Sequence, residues 1–437
     1  MNDIEKEYNL ALDYLYSFVD YSLKHSSELA KADFNLDRMF ALMEALGNPQ
    51  AKYPIIHVAG TKGKGSVAAL CASGLGAAGY KVGLYTSPHL EDYTERIQIN
   101  GEPVTHEELT ALVDEIKPYV AMIEKLTTFE ITTALAFVAF AKAGVNVAVF
   151  EVGLGGRLDA TNVVTPKVSV ITSLSYDHMA VLGESLAKIA GEKAGIIKEG
   201  VPVVSSPQKD EALEVLVRVA TRQKCELTLV GRDFKYEILE STLDGQRLMV
   251  HGPPSSVELR IPLLGLHQIE NAATAYVALK KSGIPMADEQ IQKGFSLVKW
   301  PARFEVVRRN PPVIIDAAHN RESALHLRET LDGYFPGMPV IMIFCSLEDK
   351  DISGMLEELS PRLEKVIATR ADHPRAPTAE WIAEQVRQAG SSVEIVTPTA
   401  LALDRALELA GNQKIVLSAG SVAFAGEVRA AWQRRVE

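Results

Sequence analysis

Between His57 and Ser66 the chain reads HVAGTKGKGS, which brings Gly60, Gly63, Gly65, Lys62, Lys64 and the hydroxyl of Ser66 into one short run. A glycine-rich turn offers backbone N–H groups, and a helix that follows it adds the positive end of its dipole, so the pair makes an anion site suited to phosphate. The run departs twice from the usual spelling of a phosphate loop. Val58 stands where that pattern has its first glycine, and Gly65, not a hydroxyl residue, follows Lys64. The plainer alternative is a tight strand-to-helix turn with solvated lysines. Three glycines, two lysines and a hydroxyl directly after an apolar strand favour phosphate over that alternative. Lys64, between a glycine and the helix, is the expected partner of the terminal phosphates, and Lys62 reads as a rim residue.

Three other side chains extend the chemistry. Ser87 lies in TSPHL, Glu151 in FEVGLGGRLDATN and His178 in SYDHMAVLG, each at or after the end of an apolar strand-like run. In an open parallel sheet, ligands bind beyond the carboxyl ends of the strands, so all three can converge on the loop. A carboxylate, a hydroxyl and an imidazole suit magnesium held on nucleotide phosphates. Taken singly, a lone histidine is usually structural and a serine before proline usually marks a turn. Grouped at strand ends beside a phosphate loop, they favour metal ligation.

The elements that must carry these residues follow from periodicity. PIIHVA, KVGLYTS, VNVAVFEV, KVSVITS and VPVVSS read as buried strands, with helices expected over 66–78, 109–126 and 132–143. The first fifty residues read as amphipathic helix interrupted near 33–36. Between 226 and 261 the texture changes to short strand-like pieces, LTLVG, FKYEILES, QRLMVHG and SVELRI, with a hairpin turn at Asp244-Gly245. A helix over 268–282 follows. Beyond 297–302 the alternation restarts with PVIID, PVIMIFC, KVIATR, VEIV and KIVLSAG. The expected fold is α/β. A phosphate-loop ATPase domain with a parallel sheet and a small antiparallel sheet, residues 1–298, precedes a second Rossmann-like α/β domain, residues 299–437.

Composition excludes several classes. The 437 residues suit two or three domains. A net charge of −11 argues against a nucleic-acid backbone binder. The polar start MNDIEKEYNL is not a secretory signal, and the most apolar stretch, 134–141, is too short to span a bilayer. Three widely spaced cysteines suggest a reducing cytoplasm, and no Cys/His spacing fits zinc. A cytoplasmic monomer that engages neither membrane nor nucleic acid is expected.

At AGTKGKGS, TSPHL, EVGLGGRLDATN, DH…LG and GEKAGI the sequence resembles the folylpolyglutamate synthase/dihydrofolate synthase family of the Mur ligase superfamily. The similarity continues in order through NAATA, PARFEVV, IDAAHN, DKD and GSVAFAGEVR, and so spans nearly the whole chain. The resemblance implies an ATP-dependent ligase. ATP phosphorylates a carboxylate of a folate or of dihydropteroate, and the amine of L-glutamate displaces the phosphate. It further implies that Thr61, Lys62, Gly63, Lys64, Gly65 and Ser66 hold the phosphates. Asn271, Arg303 and Asp316 would contact ATP, while Ser87, Glu151 and His178 would hold Mg2+. Thr127, Thr128, Phe129 and Glu130, with Leu158, Asp159 and Ala160, would lie on the pterin side. His319 would lie near the reacting groups or the glutamate and is a candidate base, with Lys64 and Arg303 neutralising charge. Lys193, in GEKAGI, would be carbamylated and help hold metal; without the resemblance it reads as an ordinary surface lysine. Three departures stand out. Lys62 replaces a usual asparagine, Ala180 a residue that is often acidic, and GSVAF the usual GSLYL. A phosphate-loop kinase or hydrolase acting on another acceptor is the rival reading, and a nucleotide-gated binding module a third.

Overall fold

Three sheets organise the chain. The first has eight strands in the order β4-β3-β2-β5-β1-β6-β7-β8. These are β1 Ile55–Ala59, β2 Val82–Tyr85, β3 Ile97–Ile99, β4 Glu102–Pro103, β5 Val147–Glu151, β6 Val168–Ile171, β7 Val203–Ser205 and β8 Leu227–Leu229. From β2 to β8 every pairing is parallel; β3 and β4 add an antiparallel edge. The central strands β1, β5 and β6 are wholly buried, as continuous apolar runs between two helix layers require. The computed structural model describes residues 3–20, 34–253 and 255–436. The break expected near 33–36 falls partly outside them, as does the rest of 21–33.

Each face of this sheet has its own core. Helices Lys64–Ala77 and Leu266–Lys281 pack on one side with Leu248, Val250 and Leu259 of the small sheet. Helices Asp3–Tyr16, Asp37–Ala45, His106–Val120 and Thr128–Ala143 cover the other. The small sheet pairs β9 Lys235–Thr242, β10 Gly245–His251 and β11 Ser256–Ile261 antiparallel. The third sheet runs β12-β13-β17-β14-β15-β16, built from β12 Glu305–Arg309, β13 Pro312–Ile315, β14 Val340–Phe344, β15 Leu363–Ala368, β16 Val393–Ile395 and β17 Ile415–Ala419. It is parallel except for β12, which pairs antiparallel with β13.

Several local expectations are corrected. LTLVG is not part of the small antiparallel sheet; β8 extends the large parallel one beside β7. The hairpin turn centres on Leu243 and Asp244, because Gly245 already pairs with Thr242. Helices start earlier than apolar periodicity indicates, since polar caps start them. Thr105 and Glu108 form a capping box for His106–Val120, and Thr127 and Glu130 form another for Thr128–Ala143. The helix after the phosphate loop begins at Lys64, two residues before Ser66, with Gly63 left-handed (φ 82°) as its cap. Cys71, Cys225 and Cys345 are free. Among the described residues no helix is long and apolar enough to cross a membrane.

Candidate active site

The chain enters the first sheet at β1, in its middle, and its later strands are laid down on both sides of it. That arrangement opens a crevice beyond the carboxyl ends of β1, β5 and β6. The loop Gly60–Lys64 leaves β1 into this crevice. Its shape is held from below: Ser173 O accepts the N–H groups of Thr61 (2.9 Å) and Lys62 (3.2 Å). The Thr61 hydroxyl donates to Ser175 O at 3.2 Å and accepts the Ser175 N–H at 3.1 Å. Thr61 is thereby spent on rigidity. The helix's own bonding starts with the Val67 N–H on Gly63 O at 2.9 Å, so the amides of Lys64, Gly65 and Ser66 precede it and are available to an anion.

Glycine is required in this loop by contact. A Cβ on Gly63 would lie 2.2 Å from Asn271 Oδ1, and one on Gly65 would lie 2.6 Å from Cζ2 of Trp300. Asn271, from helix Leu266–Lys281, is itself fixed by donating to Gln268 Oε1 at 2.9 Å. The missing hydroxyl after Lys64 therefore has a physical cause, since the indole of Trp300 fills the space.

Around the loop stand the strand-end residues. Glu151 is buried and accepts the Ser87 N–H at 3.1 Å; burial raises its carboxyl above the usual range, opposed by Lys64, that hydrogen bond and Arg303. Lys193 is buried, with Nζ 2.7 Å from Gly60 O, and burial together with the Lys64 charge pushes its ammonium down to about 7. His178 follows β6 in a left-handed conformation (φ 48°) with its side chain 41% exposed. Lys64 is the shared cation, its charge felt by Glu151, His178 and Lys193 alike. Among the described residues no three His, Cys, Asp or Glu side chains gather into a metal cage. The donor set fits magnesium nonetheless, because that ion keeps waters and phosphate oxygens and asks the protein for one or two carboxylates. Glu151, whose carboxylate takes a single hydrogen bond, is suited to that part.

The third sheet reaches the same crevice through two segments. Arg303 sits between Ala302 (φ 54°) and Phe304 (φ 49°), two non-glycine residues held left-handed. Glu305 accepts the Ala302 N–H at 2.9 Å and Asp316 the Phe304 N–H at 2.7 Å, which maintain this strained turn. The Arg303 guanidinium lies 5.9 Å from the centre of the Trp300 ring. Asp316 also accepts the Ala318 N–H at 2.7 Å, so both its oxygens shape the backbone around Arg303. His319 donates Nδ1–H to Ala317 O at 2.9 Å, which leaves Nε2 as the lone-pair nitrogen. That lone pair receives the Lys62 ammonium at 3.2 Å, and the Lys62 charge and burial hold His319 neutral. The expected base therefore has its accepting nitrogen occupied.

Lys62 is not a rim residue. Its side chain is 19% exposed and also pairs with Asp177 at 3.2 Å. Burial opposes ionisation of Asp177, but Lys62 and its neighbouring cations hold that carboxyl well below the usual range.

The residues expected on the pterin side divide. Glu130 accepts the Thr127 N–H at 2.8 Å and pairs with Arg38 at 3.1 Å, so its carboxylate is committed to the helix cap and that ion pair. Thr128 donates to Leu15 O at 2.9 Å, and Asp159 accepts the amides of Gly153, Leu154 and Thr161. Thr127, Thr128, Glu130, Asp159 and Ala160 are all buried. Leu158 and Phe129 remain. Leu158 lines an open cleft with Phe34, Leu154, Val181 and Leu182, and Phe129 packs where a Cβ on Gly153 would sit, 2.4 Å from its Cζ. Sequence reasoning missed Trp300, Asp177 and Asn320. Asp177 and Asn320 adjoin the candidates His178 and His319 in sequence, but the contacts that matter join segments more than a hundred residues apart.

A phosphate loop facing an arginine and a histidine from a second α/β sheet describes an ATP-using ligase built from two halves. Residues 58–279 match the Mur ligase middle domain, and residues 302–422 match the Mur ligase glutamate ligase domain. A dihydrofolate synthase/folylpolyglutamate synthase of Bacillus subtilis is 38% identical over 405 residues, 90% of this chain and 94% of the relative. One of Mycobacterium tuberculosis is 38% identical over 389 residues, 84% of this chain and 80% of its own. The solved structure of Mycobacterium tuberculosis folylpolyglutamate synthase complexed with ADP superposes with a TM-score of 0.90 at 34% identity, covering 98% of each chain. The chain belongs to the dihydrofolate synthase/folylpolyglutamate synthase family of Mur ligases, which are ATP-dependent amide-forming ligases.

Proposed function

We propose that this chain joins L-glutamate to the carboxylate of a folate, with dihydropteroate as its second acceptor, and that it works as a cytoplasmic monomer. Residues 1–298 form the ATP-binding unit and residues 299–437 the glutamate-ligase unit. The observation that carries the reading is the meeting of the Lys64, Gly65 and Ser66 amides with Arg303 at one crevice, where Trp300 lies close to both Gly65 and the Arg303 guanidinium. A kinase would need the first half alone, so the second half's arginine favours a ligase over that rival.

In this reading the acceptor carboxylate attacks the terminal phosphorus of ATP, ADP leaves, and the glutamate amine attacks the acyl carbon. Phosphate departs and the amine loses one proton. No side chain acts as nucleophile. The loop amides, Lys64 and Arg303 bind and orient the phosphates and oppose the charge that develops on them. Asn271 packs against Gly63 of the loop, and Asp316 holds the backbone turn that presents Arg303. Mg2+, held by Glu151, Ser87 and His178, supplies charge neutralisation at the phosphates when bound. Leu158 and Phe129 would border the pterin.

Lys193 we take to be carbamylated, its amine adding to CO2 with loss of a proton. The family resemblance supports this, as does its buried Nζ, seated against Gly60 O with Lys64 close by and, among the described residues, with no carboxylate bonded to it. The resulting anion would face Lys64 and could serve as a further metal ligand.

The test is incorporation of labelled glutamate by purified protein with ATP and magnesium, offered dihydropteroate or tetrahydrofolate separately. Incorporation into either supports ligation and assigns that acceptor. ADP release that is equally fast without glutamate would instead favour the kinase or hydrolase.

A further inference from the structure

Lys62, the other lysine of the loop, has no part in the reaction as described. It is nevertheless among the most engaged side chains of the crevice. Lys62 Nζ lies 3.2 Å from Asp177 Oδ2 and 3.2 Å from His319 Nε2. Asp177 Oδ2 also accepts from Asn320 Nδ2 at 3.2 Å. One carboxylate oxygen thus gathers a donor from the phosphate loop and a donor from the segment after β13, while the loop's ammonium donates to the neighbouring histidine of that same segment. Asn320 accepts the Ser323 N–H and caps helix Arg321–Tyr334, so the network ends on a rigid element.

We propose that Lys62 is an inter-domain positioning residue. From the phosphate loop it fastens His319 of the second half, with Asp177 as anchor, and so fixes how the two halves meet over the nucleotide. The proposal rests on the ligase reading for its kinetic consequence, though not for its structural one. The competing role, a second phosphate ligand, is disfavoured by geometry. The Lys62 amide is taken by Ser173 O, and two of the ammonium's three protons point to Asp177 and His319. Moving the ammonium to a phosphate would leave the Asp177 carboxylate, 15% exposed, without its cation.

A tether predicts a split in the kinetics. In Lys62→Met the stem remains and the ammonium is lost, so nucleotide should bind within about threefold of wild type while the KM for glutamate rises about tenfold or more. Lys62→Arg, which can still donate to both partners, should recover most of that loss. The structural readout is amide hydrogen exchange at residues 319–323, which should speed up in Lys62→Met and return towards wild type in Lys62→Arg. Two results would overturn the proposal: unchanged exchange in Lys62→Met, or a tenfold loss of nucleotide affinity with the glutamate KM unmoved. The exchange measurement uses no substrate. A wild-type protein that ignores glutamate would therefore refute the ligase reading and leave the exchange result to decide the tether.

Discussion

Trp300 occupies the volume that a side chain at Gly65 would need: a Cβ there would lie 2.6 Å from Cζ2 of the indole. The tryptophan belongs to the segment joining the two halves, so the unusual spelling of the loop records a contact made 235 positions later in the chain. Gly65→Ser should weaken nucleotide binding by about tenfold or more, because overpacking a fitted site costs about 1–3 kcal/mol. Added to it, Trp300→Ala should do less harm than it does alone, because the clash is gone. Titration calorimetry with a non-hydrolysable ATP analogue reads both. Full affinity in Gly65→Ser would show that the indole gives way.

Glu151→Gln keeps an acceptor for the Ser87 N–H but removes the negative charge beside Lys64. Thermal stability should change little, while kcat/KM falls by about two to three orders of magnitude, the scale seen when a charge-stabilising group is lost. Activity within a few-fold of wild type would remove Glu151 from the metal site.

Arg303 is presented by a turn in which Ala302 and Phe304 are both left-handed. Ala302→Gly should be tolerated, since glycine adopts that conformation freely. Ala302→Val should cost about 1–3 kcal/mol in chemical unfolding, because a β-branched residue pays more there than alanine. Equal stability of the two variants would contradict the strain.

A pH effect is expected at the N-terminal helix Asp3–Tyr16. His106 stacks on Tyr8 at 3.7 Å and contacts Glu5 (2.8 Å) and Asp92 (3.1 Å). Desolvation lowers the His106 pKa, but the hydrogen bonds to Glu5 and Asp92 outweigh it and leave it raised. A raised histidine contributes stability that is full below about 6.5 and is lost as pH rises through the folded value. At Asp92 burial opposes ionisation, yet bonds from Thr94, His106 and Tyr8 leave its pKa lowered, so its contribution fails only in acid. Urea unfolding midpoints should therefore fall from mildly acidic to alkaline pH more steeply in wild type than in His106→Gln. Parallel curves would remove His106 as the cause.

The parts of the fold legible in the sequence are those fixed by local burial. β1, β5, β6, β14 and β17 are continuous apolar runs because both faces of their sheets are covered. The sheet to which β8 belongs was not legible, since three residues of strand carry no mark of their neighbour. Strand β12 carries no such signal, because it is half-buried up to an exposed Arg309 and lies antiparallel at an edge. In the site, the loop and the strand-end residues were readable from type and spacing. The commitment of Thr127 and Glu130 to a helix cap is also legible, as T-x-x-E, although the family resemblance implies substrate contact there. Lys62 could not be placed, because its partners Asp177 and His319 lie 115 and 257 positions away.

The central claim is that a carboxylate is activated by phosphoryl transfer and then joined to glutamate. It is tested most directly by offering the acceptor with its carboxylate labelled with oxygen-18, together with ATP, magnesium and L-glutamate. Each turnover should deliver one labelled oxygen into inorganic phosphate, because that oxygen bridges carbon and phosphorus in the acyl phosphate. Phosphate released without label, while amide forms or ADP accumulates, would contradict it.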